Sequence, residues 1–370
     1  MQITKDNAYD AVAPDDFQSM IEVDRYGSRS TAFDKIITAT HDHFWDPLDP
    51  RYIDFSEPFD IKTQQVIPEE LVPSLETKIA EQLKPEQRVP YINATAHWML
   101  SSILHGEQGA LSLSASLCHI LRDPGAQEYA ANQAREEARH VTAFSKYIQT
   151  RWGKPLPVGV TLGNLLNEMV GAPEVYKKIV GMQMLVEGLA MGAFATLFHK
   201  SPDPLLVKLT QLVMTDEAFH HKFGKIWADR TIPTLSEQEH NLIEDWAAEC
   251  FQTLLFNLVN PEQMQVIYAQ FGLDWRDVMQ ALEEAITDDM RRERMQEGTD
   301  IFRVLIKTLL KAGIITDRTR AFYGAYVDME ALKTEGDEMV GDAIAEDGIK
   351  YLKTINFGAS ENALKSVAAE

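Results

Sequence analysis

Between residues 89 and 230, apolar positions recur every three to four residues over stretches longer than a strand sustains, which predicts helices. Turn formers interrupt the pattern at Asp123-Pro124-Gly125, Gly153-Lys154-Pro155, Ala172-Pro173 and Ser201-Pro202. Four long helices follow from that punctuation. Beyond Pro233 the period continues in shorter amphipathic segments, about 235–258, 261–271, 274–287, 290–311 and 317–333, and no segment has the alternation of a strand. Upstream, "FWDPLDPRYIDFSEPFD" carries Pro47, Pro50 and Pro58, which forbid a continuous helix and predict an extended arm, with a helix near 68–84. The last thirty or so residues suit either a helix or a tail packed on a partner. The expected class is all-α, with an arm over 1–88, the long helices over 89–230, and additional C-terminal helices of the same domain over 231–370.

Composition narrows the setting. In 370 residues, 45% apolar content is ample for a core. A net charge of −21 without clustered Lys and Arg argues against nucleic acid as a partner. Cys118 and Cys250 are the only cysteines, which excludes a disulfide framework or a thiolate cluster and fits a reducing compartment. The N-terminus has no basic and apolar leader pattern, and no run is long and apolar enough to suggest a membrane span. A cytoplasmic protein with no membrane partner is expected.

Charge sits where a core helix should not carry it. "NQAREEARHV" places Glu136, Glu137, Arg139 and His140 between apolar runs. Residues three apart share a helix face, so Glu137 and His140 aim at one point. A Glu-x-x-His match arises readily by chance, and the chain has three: Glu137/His140, Glu217/His220 and Glu237/His240. The last follows Pro233, where Thr234 and Glu237 resemble a capping box at an exposed helix start. The other two each follow, by thirty residues, a lone Glu in an apolar helix: Glu107 in "SILHGEQGALSL" and Glu187 in "MQMLVEGLAMGAF". The trio Glu107, Glu137, His140 therefore recurs eighty residues on as Glu187, Glu217, His220.

Helix geometry lets the six meet. The midpoints between each lone Glu and its partner Glu fall at residues 122 and 202, beside the predicted turns. In an antiparallel hairpin, residues equidistant from the turn lie level, here about 20–25 Å away at 1.5 Å per residue. Two hairpins packed together enclose four carboxylates and two imidazoles. Four buried carboxylates need cations, and two divalent ions supply +4 against −4. A mixed oxygen and nitrogen shell suits iron or manganese.

With these motifs in hand, residues 89–230 resemble the oxygen-activating branch of the ferritin-like di-iron carboxylate superfamily. That branch includes bacterial multicomponent monooxygenase hydroxylases, benzoyl-CoA epoxidase, acyl-carrier-protein desaturases and the ribonucleotide reductase small subunit. "EEARH" and "DEAFHH" look like the paired D/E-E-x-R-H signatures of that branch. The resemblance implies a four-helix bundle in which Glu107, Glu137 and His140 hold one metal, and Glu187, Glu217 and His220 the other, with Glu137 and Glu217 bridging. It implies that Glu136 and Asp216 accept the outer N–H of a ligand histidine and that Arg139 neutralises them.

The departures are Phe219, where many relatives carry Arg; Phe144, where the reductase subunit carries its radical Tyr; and Met191, where the monooxygenases place a Thr. His221 is turned about 100° from His220 on the helix and is placed off the metal. Positions one turn from the ligands, Ile103, Leu104, Leu111, Phe144, Gln183, Met184, Met191 and Phe194, form a mostly apolar substrate lining that serves equally as bundle core. "HDHFWD", with His41, Asp42 and His43, has a metal-like look but is assigned to surface or packing. His97 and His105 are assigned to core or to the surroundings of the ligands.

The expected function is a di-iron oxygenase, an oxidoreductase of the monooxygenase or hydroxylase type. It would use O2 to oxidise a small, largely apolar organic substrate. No nucleotide glycine fingerprint or Cys cluster is present, so electrons would come from a reductase or ferredoxin partner. Relatives are commonly homodimers. The rivals are an acyl desaturase, a manganese–iron or di-manganese oxidase, and an iron-storage or scavenging protein.

Overall fold

Two of the turn signals become helix starts. Asp123 accepts from the backbone N–H groups of Gly125 and Ala126 at 2.8 and 3.4 Å, and Asp203 from that of Leu205 at 3.0 Å, each with a proline at the first helical position. The computed structural model describes residues 5–6, 8–256, 260–285, 301–336, 338–339 and 341–358. Its class is all-α. Helix α1 spans Asp34–Asp42, α2 Arg88–Ile120, α3 Pro124–Trp152, α4 Val160–Gly171, α5 Val175–Lys200, α6 Pro204–Thr231, α7 Glu237–Phe256, α8 Trp275–Ala285, α9 Ile301–Lys311 and α10 Asp342–Phe357.

Helices α2 and α3 form one hairpin and α5 and α6 another, with α3 against α6. The end of α3 is set by Gly153, whose φ of 84° is open to glycine at little cost. Helix α4 lies on α2, and a Cβ at Gly109 would come 2.5 Å from Leu166, so glycine there permits the approach. Within α5, Ile179–Val186 winds as a π-helix directly before Glu187. Such wide turns concentrate at functional sites because they re-aim the residues that follow. Helix α6 closes on this turn through Gly224, where a Cβ would meet Met184 and Gln183 at 3.1 and 3.2 Å.

Several expected elements differ. The helix expected at 68–84 is a series of 3-10 turns, Glu69–Leu71, Pro73–Glu76, Lys78–Gln82 and Pro85–Gln87; Pro73 removes a donor inside it, and Thr77 is extended and caps the third turn. The segment 317–333 splits into Arg320–Tyr323 and Met329–Thr334, the second capped by Asp328. Segment 261–271 is a 3-10 turn, Pro261–Met264, followed by Gln265–Gln270. Residues 290–300 lie outside the described residues, as do 359–370. The rest of the C-terminal stretch is the helix α10, packed on α6. Strands β1 (Lys5–Asp6) and β2 (Ala11–Val12) form a small antiparallel ladder that the pattern did not announce.

Among the described residues α5 is also the one helix long and apolar enough to cross a membrane, against expectation, and 72% of its most apolar window is buried inside the protein. The apolar core falls into two clusters. One joins the first part of the arm with α1, α4, α7 and α9 to the turn ends of α2 and α3, while the other joins the arm from Trp45 on, α8 and α10 to the opposite ends of the long helices. The six Glu and His residues belong to neither cluster.

Candidate metal centre

The two hairpins bring the six predicted ligands to one place, all buried: Glu107 and Glu187 are 5% and 3% exposed, and the other four are fully covered. Glu107, Glu137, His140 and Glu217 present donor atoms within 4.8 Å of one another, and so do Glu137, Glu187, Glu217 and His220. Glu137 and Glu217 belong to both groups, the geometry a bridging pair requires. His140 Nδ1 lies 3.2 Å from Glu107, 3.4 Å from Glu137 and 3.2 Å from Glu217. His220 Nδ1 lies 3.0 Å from Glu137 and 3.1 Å from Glu217. Both imidazoles thus face the centre through Nδ1.

Their outer nitrogens are held crosswise. His140 Nε2 meets Asp216 at 2.9 Å, and His220 Nε2 meets Glu136 at 3.0 Å, so each hairpin orients the other's histidine. Arg139 donates to both Asp216 oxygens, through Nε at 3.0 Å and through Nη2, and lies 3.6 Å from Glu136.

The arm completes this layer, which corrects the assignment of its HDHFWD motif. His41 and Asp42 are exposed, whereas His43 is fully buried, with Nε2 3.2 Å from Asp216 and 3.6 Å from Glu136. Trp45, also fully buried, donates its indole N–H to Asp216 at 2.9 Å and lies over the His140 ring. Gln133, one turn before Glu137, donates to Glu137 at 3.1 Å, to Gln183 at 3.1 Å and to Glu187 at 3.3 Å. Sequence reasoning missed both His43 and Gln133. The available signals were the cation absent at Phe219 and the i−4 spacing of Gln133 from Glu137.

The electrostatics follow from burial among like charges. Burial pushes the Glu107 carboxyl up to about 8 and the Glu187 carboxyl well above its usual range. Burial acts the same way on Glu137 and Glu217, but His220 and the other imidazole override it and pull both down. On the histidines burial opposes charge, and the surrounding carboxylates nevertheless hold His140 and His220 well above 6.5. His43 is likewise raised to about 9, where Asp216 and Glu136 outweigh desolvation. Without metal the inner group therefore balances two imidazolium ions against two carboxylates. The outer group balances His43 and Arg139 against Glu136 and Asp216.

The donors suit a pair of divalent ions. Glu137 Oε2 and Glu217 Oε1 are buried and lie 3.4 and 3.2 Å from His140 Nδ1 without hydrogen-bond geometry, and the buried Gln183 amide nitrogen has no hydrogen-bond partner in the protein. No family model and no curated protein matches this chain. A buried Glu/His cluster in an all-helical chain is compatible with a ferritin-like di-iron fold, and it offers a possible metal site.

The remaining predicted residues fall in different places. Leu104, Phe144, Met184, Met191, Phe194 and Gln183 are buried, and Ile103 and Leu111 are half-buried. Phe144 and Phe194 stack on each other, ring centroids 5.7 Å apart, so this part of the expected lining is packed. Met191 lines a cavity of about 300 Å³. His221 points away from the metal groups, its Nε2 3.5 Å from Thr308 Oγ1, and burial drives its pKa down to about 4. His97 and His105 hold the loop after α3 through the carbonyls of Lys154 and Leu156, each at 2.8 Å. At α7 the reciprocal cap is made by Ser236 and Glu239, two residues beyond the expected Thr234 and Glu237.

Proposed function

We propose that the chain is a ferritin-like di-iron oxygenase that uses O2 to oxidise an organic, largely apolar substrate, drawing electrons from an external reductase or ferredoxin. The observation that carries this reading is the convergence of two overlapping Glu/Glu/Glu/His groups that share Glu137 and Glu217. Glu107, Glu137 and His140 would hold one ion and Glu187, Glu217 and His220 the other. When bound, the metal pair supplies the redox chemistry that dioxygen activation needs. The chain's part is to fix that pair and keep it dry.

Glu136 and Asp216 fix the histidine tautomers by accepting from Nε2, which leaves each Nδ1 lone pair for the metal. The apolar clusters on either side exclude water, which protects a reactive oxidant from being quenched.

The test is oxygen consumption by the reduced, iron-loaded chain. An oxygenase consumes O2 with each electron pair delivered and keeps close to two irons per chain. A storage protein accumulates iron far beyond two, and that result overturns the reading.

A further inference from the structure

Beside the ligand shell lies a cavity of about 300 Å³, within the size range of small-ligand sites. Its inner wall includes Met191, one turn beyond Glu187, with Ala218 and His221, which directly follow Glu217 and His220. Its opposite wall is Thr308 on α9. Around it stand four lysines, Lys222 and Lys225 from α6 and Lys307 and Lys311 from α9, against two carboxylates, Asp229 and Asp342. In a chain with 56 acidic and 35 basic residues, that local balance is inverted.

The lysines are held in place. Lys307 donates to the Glu338 carbonyl at 2.7 Å and lies 3.5 Å from the Glu335 carboxylate, and Lys311 donates to the Glu335 carbonyl at 2.6 Å, so the four lysines outnumber three carboxylates. Lys225 pairs with Asp229 at 2.5 Å, and Lys222 lies 3.9 Å from Asp342. Exposed pairs of this kind are worth little and rearrange when a better anion arrives. Deeper in, His221 is only 8% exposed, yet its Nδ1 has no hydrogen-bond partner in the protein. Thr308 donates its own proton to the Val304 carbonyl at 3.0 Å, so it can only accept from the imidazole. A buried polar atom without a partner, in the wall of a cavity, points to a ligand.

We propose that this cavity is the substrate site and that its ligand is an amphipathic organic anion, a carboxylate or phosphate with an apolar body. The anionic group sits among Lys222, Lys225, Lys307 and Lys311, the apolar body runs past Ala218 to Met191, and a hydroxyl on that body donates to the His221 Nδ1 lone pair, so a hydroxylated chain binds tighter than a plain alkyl one. The assignment rests on the oxygenase reading for its role as substrate, but the binding itself does not depend on turnover.

Calorimetry on the full, metal-loaded chain tests it, with octanoate, octyl phosphate, octanol and octylammonium as probes. Octanoate or octyl phosphate should bind one per chain, with octanol and octylammonium weaker by at least about tenfold. Whichever anion binds more tightly identifies the head group. Lys222→Glu with Lys225→Glu should raise the Kd about tenfold, as should raising the salt. Both side chains are over a third exposed, and the paired Gln variants repeat the test without reversing charge. Octanol binding as well as octanoate, or an unchanged Kd in both double variants, overturns the proposal. Metal content separates the two claims. Two ions per chain with no anion binding overturns this inference alone, whereas anion binding by a chain that takes up no metal overturns the oxygenase reading and leaves the cavity as an anion site.

Discussion

His43 lies flat on Phe219, ring centroids 4.9 Å apart and planes within 5°. Phe219 occupies in the second motif the position Arg139 has in the first, so the second hairpin lacks a cation of its own. The arm supplies one instead, and the phenyl ring serves as the shelf that holds it against Asp216 and Glu136. Replacing His43 by Leu removes one of the two cations of the outer group, leaving Arg139 and the outer nitrogens of His140 and His220 against Glu136 and Asp216, and should cost about 3 kcal/mol of stability and lower metal retention. Adding Phe219→Arg to His43→Ala should recover much of both, which thermal unfolding and metal analysis will show. No recovery means that His43 acts by packing alone.

Metal loading should release protons. Glu107, Glu187, His140 and His220 each favour the protonated form in the metal-free chain, and each must give up a proton to become a ligand. About four protons should therefore appear in weakly buffered solution for every two divalent ions bound near pH 7. Because all four pKa values are raised, metal affinity should climb with pH through neutrality towards about 8, the Glu107 value. Affinity that is flat between pH 6 and 8 contradicts the charge states assigned here.

The second hairpin turn offers a control that leaves the centre alone. Asp203 caps α6, accepts from Arg151 at 2.8 and 2.9 Å, and accepts from the Tyr147 hydroxyl at 2.6 Å, all buried. Asp203→Ala strands Arg151 and should cost about 3–5 kcal/mol in denaturant unfolding. Metal stoichiometry in the protein that remains folded should be unchanged.

How much of this was legible in the sequence depends on periodicity. The long helices and the ligand trios show because a helix repeats its face every three to four residues, and Asp123-Pro124-Gly125 and Ser201-Pro202 mark where each hairpin reverses. The arm has no such period. The helix expected in it at 68–84 is instead a run of 3-10 turns, and nothing local tells His43 and Trp45 apart from surface residues, since their partner Asp216 is more than 170 positions away. The π-helix of α5 is equally silent, since the apolar run Ile179–Val186 carries no local mark of a wider turn. The cavity is formed by α5, α6, α9 and the start of α10, a tertiary meeting that no motif encodes.

The most direct measurement is the metal content of the chain after anaerobic loading with Fe(II), compared with Glu137→Ala and Glu217→Ala. These two carboxylates belong to both ligand groups, so each variant should lose both ions while circular dichroism retains the helices. Close to two ions per native chain, and almost none in either variant, is the predicted result. One ion or none in the native chain, or full loading in the variants, would contradict the shared di-metal centre.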